Sequence, residues 1–240
     1  MMNLRQVLAV SLVFLALTSA TPLCAATLDS TLFATYNTQP PYTSVSFSVC
    51  GSLPQSEGCF GGGYLAPFGL VGALIEGAPT QNLKKGTVSR NIYILDVAYG
   101  SSGNQVALYV YKRVDTITSS SDSIATTLTK TVVLPLTGGS GTVAYMAANG
   151  KFLFIGTSQS GYVAQVTKSS LAATLILTPP VPLDSITADQ YGYVSVQWGS
   201  NQSAQFQVID PNGDLKEDGG GTAFMVNTLQ ATLPSTVVPQ

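Results

Sequence analysis

The sequence predicts an all-β protein, and three observations carry that expectation. Apolar and β-branched residues recur at alternate positions in short runs such as "SVSFSV" (44–49), "NIYILDV" (91–97) and "YVSVQW" (193–198), the period of a strand with one face on a core. Clusters of Gly, Ser, Pro and Asn separate these runs, as turns require. Charged residues make up only 9% of the chain, leaving little of the Glu, Lys and Arg with which a solvated helix face is normally written.

The chain opens on the pattern of an export signal: a basic n-region ending at Arg5, an apolar or small run over residues 7–20 and a small-residue stretch ending "LCAA". The run is shorter than the roughly 20 residues that span a bilayer as a helix. Cleavage is expected after Ala26, with Ala20 as a second site, so that 1–26 is a signal peptide and 27–240 a single all-β domain. Lipidation at Cys24 is an alternative, although Pro22 and Leu23 before it resemble a lipobox poorly. The expected destination is the periplasm or the extracellular space, with no transmembrane segment.

Cleavage leaves Cys50 and Cys59, two thiols close in sequence in an exported chain, and a disulfide is the natural reading. Closing so small a loop contributes about 2.5 to 3 kcal/mol in the chain-entropy model. A zinc site is a poor fit, because the spacing is not C-x-x-C and the chain has no histidine.

Along the chain, residues 32–36 and 44–49 read as two strands separated by Pro40-Pro41, and the Gly, Ser and Pro content of 51–63 reads as a long turn pinned by the disulfide. "LVGALIEG" (70–77) follows as a strand, since Gly69, Gly72 and Gly77 make a helix costly. Residues 91–100 and 104–114 form a hairpin across Ser101-Ser102-Gly103, and 116–123 form a polar loop. "TLTKTVVLPL" (127–136) is a strand expected to end at Pro135 and Gly138-Gly139.

A repeat follows. "TVAYMAANGKFLFIGTSQSGYVAQVTKSS" from Thr142 aligns with "SITADQYGYVSVQWGSNQSAQFQVIDPNG" from Ser185, with a constant offset of 42 from Gly150 and Gly192 onward. Phe152 then meets Val194, Phe154 meets Val196, and Val166 meets Val208. "NIYILDVAYGSSGNQVALYVYK" fits the same template about 60 residues earlier, and 50–77 is a more divergent first unit. Strand, Gly turn, strand, loop, strand and connecting strand at a spacing of roughly 40 to 50 residues resemble the blades of a β-propeller. The resemblance is one of architecture, without a WD or kelch signature. It implies a small propeller of four units, or five if the N-terminal strands and "TAFMVNTLQATL" near the C-terminus complete a closing blade. A β-sandwich of eight to ten strands is the alternative.

The absence of histidine excludes a Ser-His-Asp triad, a Cys-His pair and a histidine-ligated metal centre. No cofactor is expected. The formal net charge of −2 and scattered basic residues argue against nucleic acid. Paired carboxylates remain as a route to glycoside cleavage, with Asp96, Asp184 and Asp189 the least turn-like acids. Asp96, amid "YILDVAY", reads as a core acid bonded to turn amides. Asp210, Asn212 and Asp214 are spaced like EF-hand ligands, but Leu215 and Gly221 stand where that loop needs Gly and Glu, so the stretch reads as a hairpin turn. Asn201-Gln202-Ser203 matches a glycosylation acceptor.

Alternation sorts the aromatic residues. Val194, Val196 and Trp198 share a core face, whereas Tyr193, Ser195 and Gln197 share the opposite one, and Tyr109 and Tyr111 lie opposite Leu108 and Val110. Tyr193, Tyr109, Tyr111 and Gln197 are therefore the candidate ligand-binding residues. The sequence points to an exported, non-catalytic protein that binds an extracellular protein or glycan through loops on a β-repeat scaffold. A carbohydrate-active enzyme with paired carboxylates and an adhesin-like surface subunit are the alternatives.

Overall fold

The structure, a computed structural model, describes residues 30–36, 43–53, 56–65, 68–117, 122–179, 182–199, 205–215, 217–218, 222–223 and 225–227. Every element among them is a strand. β1 (Ser30–Tyr36), β2 (Val45–Leu53) and β3 (Ser56–Leu65) form one sheet. β4 (Val71–Glu76), β5 (Thr80–Asn82), β6 (Thr87–Tyr99), β7 (Gln105–Ile117) and β8 (Asp122–Thr137) form a second, in the order β4-β6-β7-β8 with β5 beside β6. β9 (Ala144–Ala148), β10 (Phe152–Thr157), β11 (Val163–Thr167) and β12 (Ala173–Leu177) form a third, a simple meander. In the fourth, β13 (Leu183–Ala188), β14 (Val194–Trp198) and β15 (Gln205–Ile209) are joined by β18 (Met225–Asn227), while β16 (Glu217–Asp218) and β17 (Thr222–Ala223) pair only with each other. All pairings are antiparallel.

The sheets pack face to face in chain order, because the second and third place apolar residues on both of their faces. Tyr93, Leu95, Val97, Leu108 and Val110 of the second sheet meet Leu153, Ile155, Ala164 and Val166 of the third. The other face of the third sheet, with Ala147, Phe154 and Val163, meets Leu183, Ile186, Val194, Val196 and Trp198 of the fourth. The far face of the second sheet, with Ile92, Ile94 and Tyr111, closes on Val45 and Phe68 beside the first. Strands β4, β9 and β13, the first of their sheets, contact one another in succession. Among the described residues no closed barrel or propeller is formed.

Several expectations are corrected. Residues 51–63 are not a long turn: β2 and β3 run through them as a hairpin, with Cys50 and Cys59 as register partners. Backbone pairing needs no side chains, so the glycine-rich β3, laid along β2, completes a ladder that its composition disfavours. Pro135 does not end β8. It falls where the β7 register shifts between Gln105, opposite Thr137, and Val106, opposite Leu134, on the outermost strand of its sheet, and a bulge on an edge strand tolerates a residue without an N–H. Residues 50–77 are not a unit, because β2 and β3 belong to the first sheet and β4 opens the second. The polar loop at 116–123 shrinks, since Ile117 pairs with Asp122, and its tip lies outside the described residues.

The repeat survives with one change of register. Strand β10 matches β14, and β11 matches β15, at the offset of 42. The preceding strands match at 39, since Leu153 pairs with Ala148 where its counterpart Ser195 pairs with Thr187. The change has two sources, a turn of three residues (149–151) in one copy against five (189–193) in the other, and one further residue, Ala188, at the end of β13. Of the "TAFMVNTLQATL" segment, β18 joins β15 instead of the N-terminal strands. The expected signal peptide and Asn201-Gln202-Ser203 lie outside the described residues.

Candidate functional site

The turns that follow β9 and β13 are built by the same device. Asn149 Oδ1 accepts the amides of Lys151 and Phe152 at 3.0 and 2.9 Å, and Asp189 Oδ1 accepts those of Tyr191 and Tyr193, both at 2.9 Å. Short side chains with an oxygen at this position fold the backbone back on itself. Asp210 repeats the motif toward Asn212 and Asp214 at 2.8 and 3.0 Å, so the stretch spaced like calcium ligands is a turn. Gly213 in that turn has φ +91°, and a Cβ there would stand 1.9 Å from Gln165 Nε2. Only glycine suits both demands.

Asn149 also ties two sheets together. Its side-chain amide donates to the carbonyls of Gly192 at 3.2 Å and Pro211 at 3.4 Å, one in each of the other two turns. All three turns therefore gather at one end of the array. The first two border a cleft of about 920 Å³, lined from the second sheet by Glu76, Gly77, Asn91 and Tyr93, from the third by residues 148–152 and 167–169, and from the fourth by residues 189–192. The second sheet supplies a wall, because β6 begins at Thr87, five residues before the stretch matching β10.

The chemistry of the cleft is mixed. Tyr191 is 73% exposed at its rim, whereas the Tyr93 ring is buried in its floor. Lys168 Nζ stands 6.0 Å from the Tyr93 ring centroid and donates to the Asn149 carbonyl. Burial lowers the Lys168 pKa, since desolvation disfavours its charged form. Glu76 is paired with Arg90. Asn91, Gln190 and Ser169 add neutral donors and acceptors.

The four candidate ligand residues are not brought together. Tyr109 and Tyr111 stack at 6.5 Å between centroids, and Phe68 and Tyr99 meet the Tyr109 ring edge-on at 5.0 and 6.1 Å. This aromatic group lies on the face of the second sheet turned away from the third. Burial, with Asp96, Tyr99 and Tyr111 adding to it, pushes the Tyr109 hydroxyl up to about 12. Gln197 is half-buried on β14 and accepts from Ser185 Oγ at 3.4 Å. Tyr193 is 38% exposed and stands in the same turn as Tyr191. Of the acids, Asp96 accepts the amides of Gly69, Leu70 and Ala98 at 2.8 to 3.0 Å, and Asp184 is exposed on β13.

Sequence reasoning missed Asn91, Asn149, Lys168 and Gln190, and preferred Tyr193 to Tyr191. The usable signal was the repeat itself: turns at equivalent places in successive units converge when the units stack. No group of three or more metal-binding side chains converges among the described residues, and no helix there is long and apolar enough to cross a membrane. Compared with known proteins, the chain matches no family model and no curated protein sequence.

Proposed function

We propose that this is an exported, non-catalytic glycan-binding protein whose ligand enters the cleft at the turn end of a small propeller-like array. One observation carries the reading: a largely exposed aromatic residue, Tyr191, lines a cleft whose other polar groups include the neutral side chains of Asn91, Gln190 and Ser169. A flat apolar face suits the C–H face of a sugar, and amides and hydroxyls suit its hydroxyl groups. The engagement of Glu76 by Arg90 and of Asp189 by turn amides favours binding over cleavage.

The propeller reading is supported by the meanders stacked face to face with their first strands in a row. The β1–β3 sheet would provide a fourth blade. Four blades remain the proposed number, with closure near the termini. A Cys50–Cys59 disulfide is supported by their register, because directly opposed antiparallel residues have Cα separations of about 4.5 to 5.5 Å, within reach of a bridge. The intact mass under non-reducing conditions should be lower than the reduced mass by two hydrogens, and free thiols by alkylation would refute the bridge.

A glycan array probed with the purified protein tests the central proposal. A consistent set of bound glycans is expected, with Tyr191→Ala weakening binding about tenfold or more, equivalent to about 1.4 kcal/mol. Release of reducing ends from any bound glycan would replace the binding reading with the enzymatic one. Binding unaffected by Tyr191→Ala would move the site away from the cleft.

A further inference from the structure

Two lysines line the cleft from opposed backbone positions. β10 and β11 continue their ladder one step past Phe152 and Thr167, where the Lys168 amide donates to the Lys151 carbonyl at 2.9 Å. Like charges on opposed strand positions destabilise the pairing. Among the described residues, the ammonium groups are met by neutral oxygens: Lys168 Nζ by the Asn149 carbonyl at 2.5 Å and Lys151 Nζ by Asn212 Oδ1 at 3.0 Å. The two carboxylates lining the cleft are engaged elsewhere, Glu76 with Arg90 and Asp189 with the turn amides of Tyr191 and Tyr193. Lys151 is exposed, whereas Lys168 is half-buried, and partial burial without a contacting countercharge is the environment in which an added anion is worth most.

We infer that the cleft takes an acidic glycan, with the carboxylate of a uronate-type sugar between Lys168 and Lys151 and an adjoining ring laid on Tyr191. The inference rests on the glycan-binding reading above and narrows it to one charge class. An acidic peptide would also satisfy the lysines. The presented Tyr191 ring and the amides of Asn91 and Gln190 favour a hydroxylated ring over an extended backbone, which needs a sheet edge to pair with.

Isothermal titration of the purified protein against uronate oligosaccharides tests this directly, using oligogalacturonate, oligomannuronate and hyaluronan fragments, each beside its carboxyl methyl ester. At least one free acid should bind about tenfold or more tighter than its ester, since only the acid makes charge-assisted hydrogen bonds. Lys168→Gln should remove that preference, read as the ratio of acid to ester affinity in the same variant. Lys168→Arg should retain the preference, and Lys151→Gln should reduce it. Affinity for the acid should fall in the alkaline range at a lower pH than an ordinary lysine would give, because burial lets Lys168 give up its proton sooner. Equal affinity for acid and ester, no binding of any uronate, or tighter binding of poly-L-glutamate would each overturn the inference. If neutral glycans still bound in a Tyr191-dependent way, only the charge class would fail. If no glycan of any kind bound, the broader reading would fail with it.

Discussion

Replacing Asp96 by alanine is expected to lower the unfolding free energy by about 3 to 5 kcal/mol, the larger of the two strongest effects foreseen for single substitutions. The carboxylate is 1% exposed and accepts three backbone amides, from Gly69, Leu70 and Ala98. It thus supplies the pairing that the backbone cannot make where the β4–β6 register shifts between Val71 and Ala73. Leu70 and Ala98 are half-buried and Gly69 exposed, and an amide left without a partner where water cannot reach it costs about 1 to 3 kcal/mol. The segment cannot easily repack, since Gly69 lies so close to the Ala98 carbonyl that a Cβ would come within 2.1 Å of its oxygen. Asp96→Asn keeps one acceptor oxygen and brings a donor toward N–H groups, so about half the loss is expected. Urea unfolding followed by circular dichroism measures both. An alanine variant within about 1 kcal/mol of the starting protein would show that water replaces the carboxylate without penalty.

The second large effect is expected at Asn149, where alanine should cost about 2 to 4 kcal/mol and aspartate about 2 kcal/mol. The side chain is 7% exposed, with its oxygen engaged by two amides of its own turn and its nitrogen by two carbonyls of the neighbouring sheet. Aspartate keeps the first pair and turns the second into contacts between a carboxylate and carbonyl oxygens. The two variants therefore separate the folding of the turn from the docking of the sheets. With aspartate, amide hydrogen exchange should quicken at residues 189–193 and 210–214 while β10 and β11 keep their protection. Unchanged exchange in those turns would mean that the apolar contacts of Ala147, Phe154 and Val163 suffice to hold the sheets.

The legible part of this chain was what alternation dictates. The face shared by Val194, Val196 and Trp198 is buried as expected, and the hairpin on either side of Ser101-Ser102-Gly103 forms with Asp96 inside it. Alternation names two faces, however, without saying what covers the second. Tyr109 and Tyr111 do lie opposite Leu108 and Val110, yet that face is closed by Phe68 and Val45, so the rings pack against protein where ligand-binding residues were expected. The end of β2 beyond Val49 and the glycine-rich β3 were invisible because their ladder is a property of neighbours, not of side chains. The cleft was hidden for a related reason. Its walls come from turns of three sheets, and the two copies of the key turn differ in length by two residues.

The placement of apolar residues on both faces of the third sheet constrains the folding search as well as the fold. A slip of β10 by one residue would turn Leu153 and Ile155 toward the fourth sheet and Phe154 toward the second, exchanging the contents of two cores in one step. Most half-buried strands are checked for register by one core against water. Here β10 is checked by two cores that want side chains of different size, so a mispaired strand is rejected from both sides, and the array carries its own proofreading.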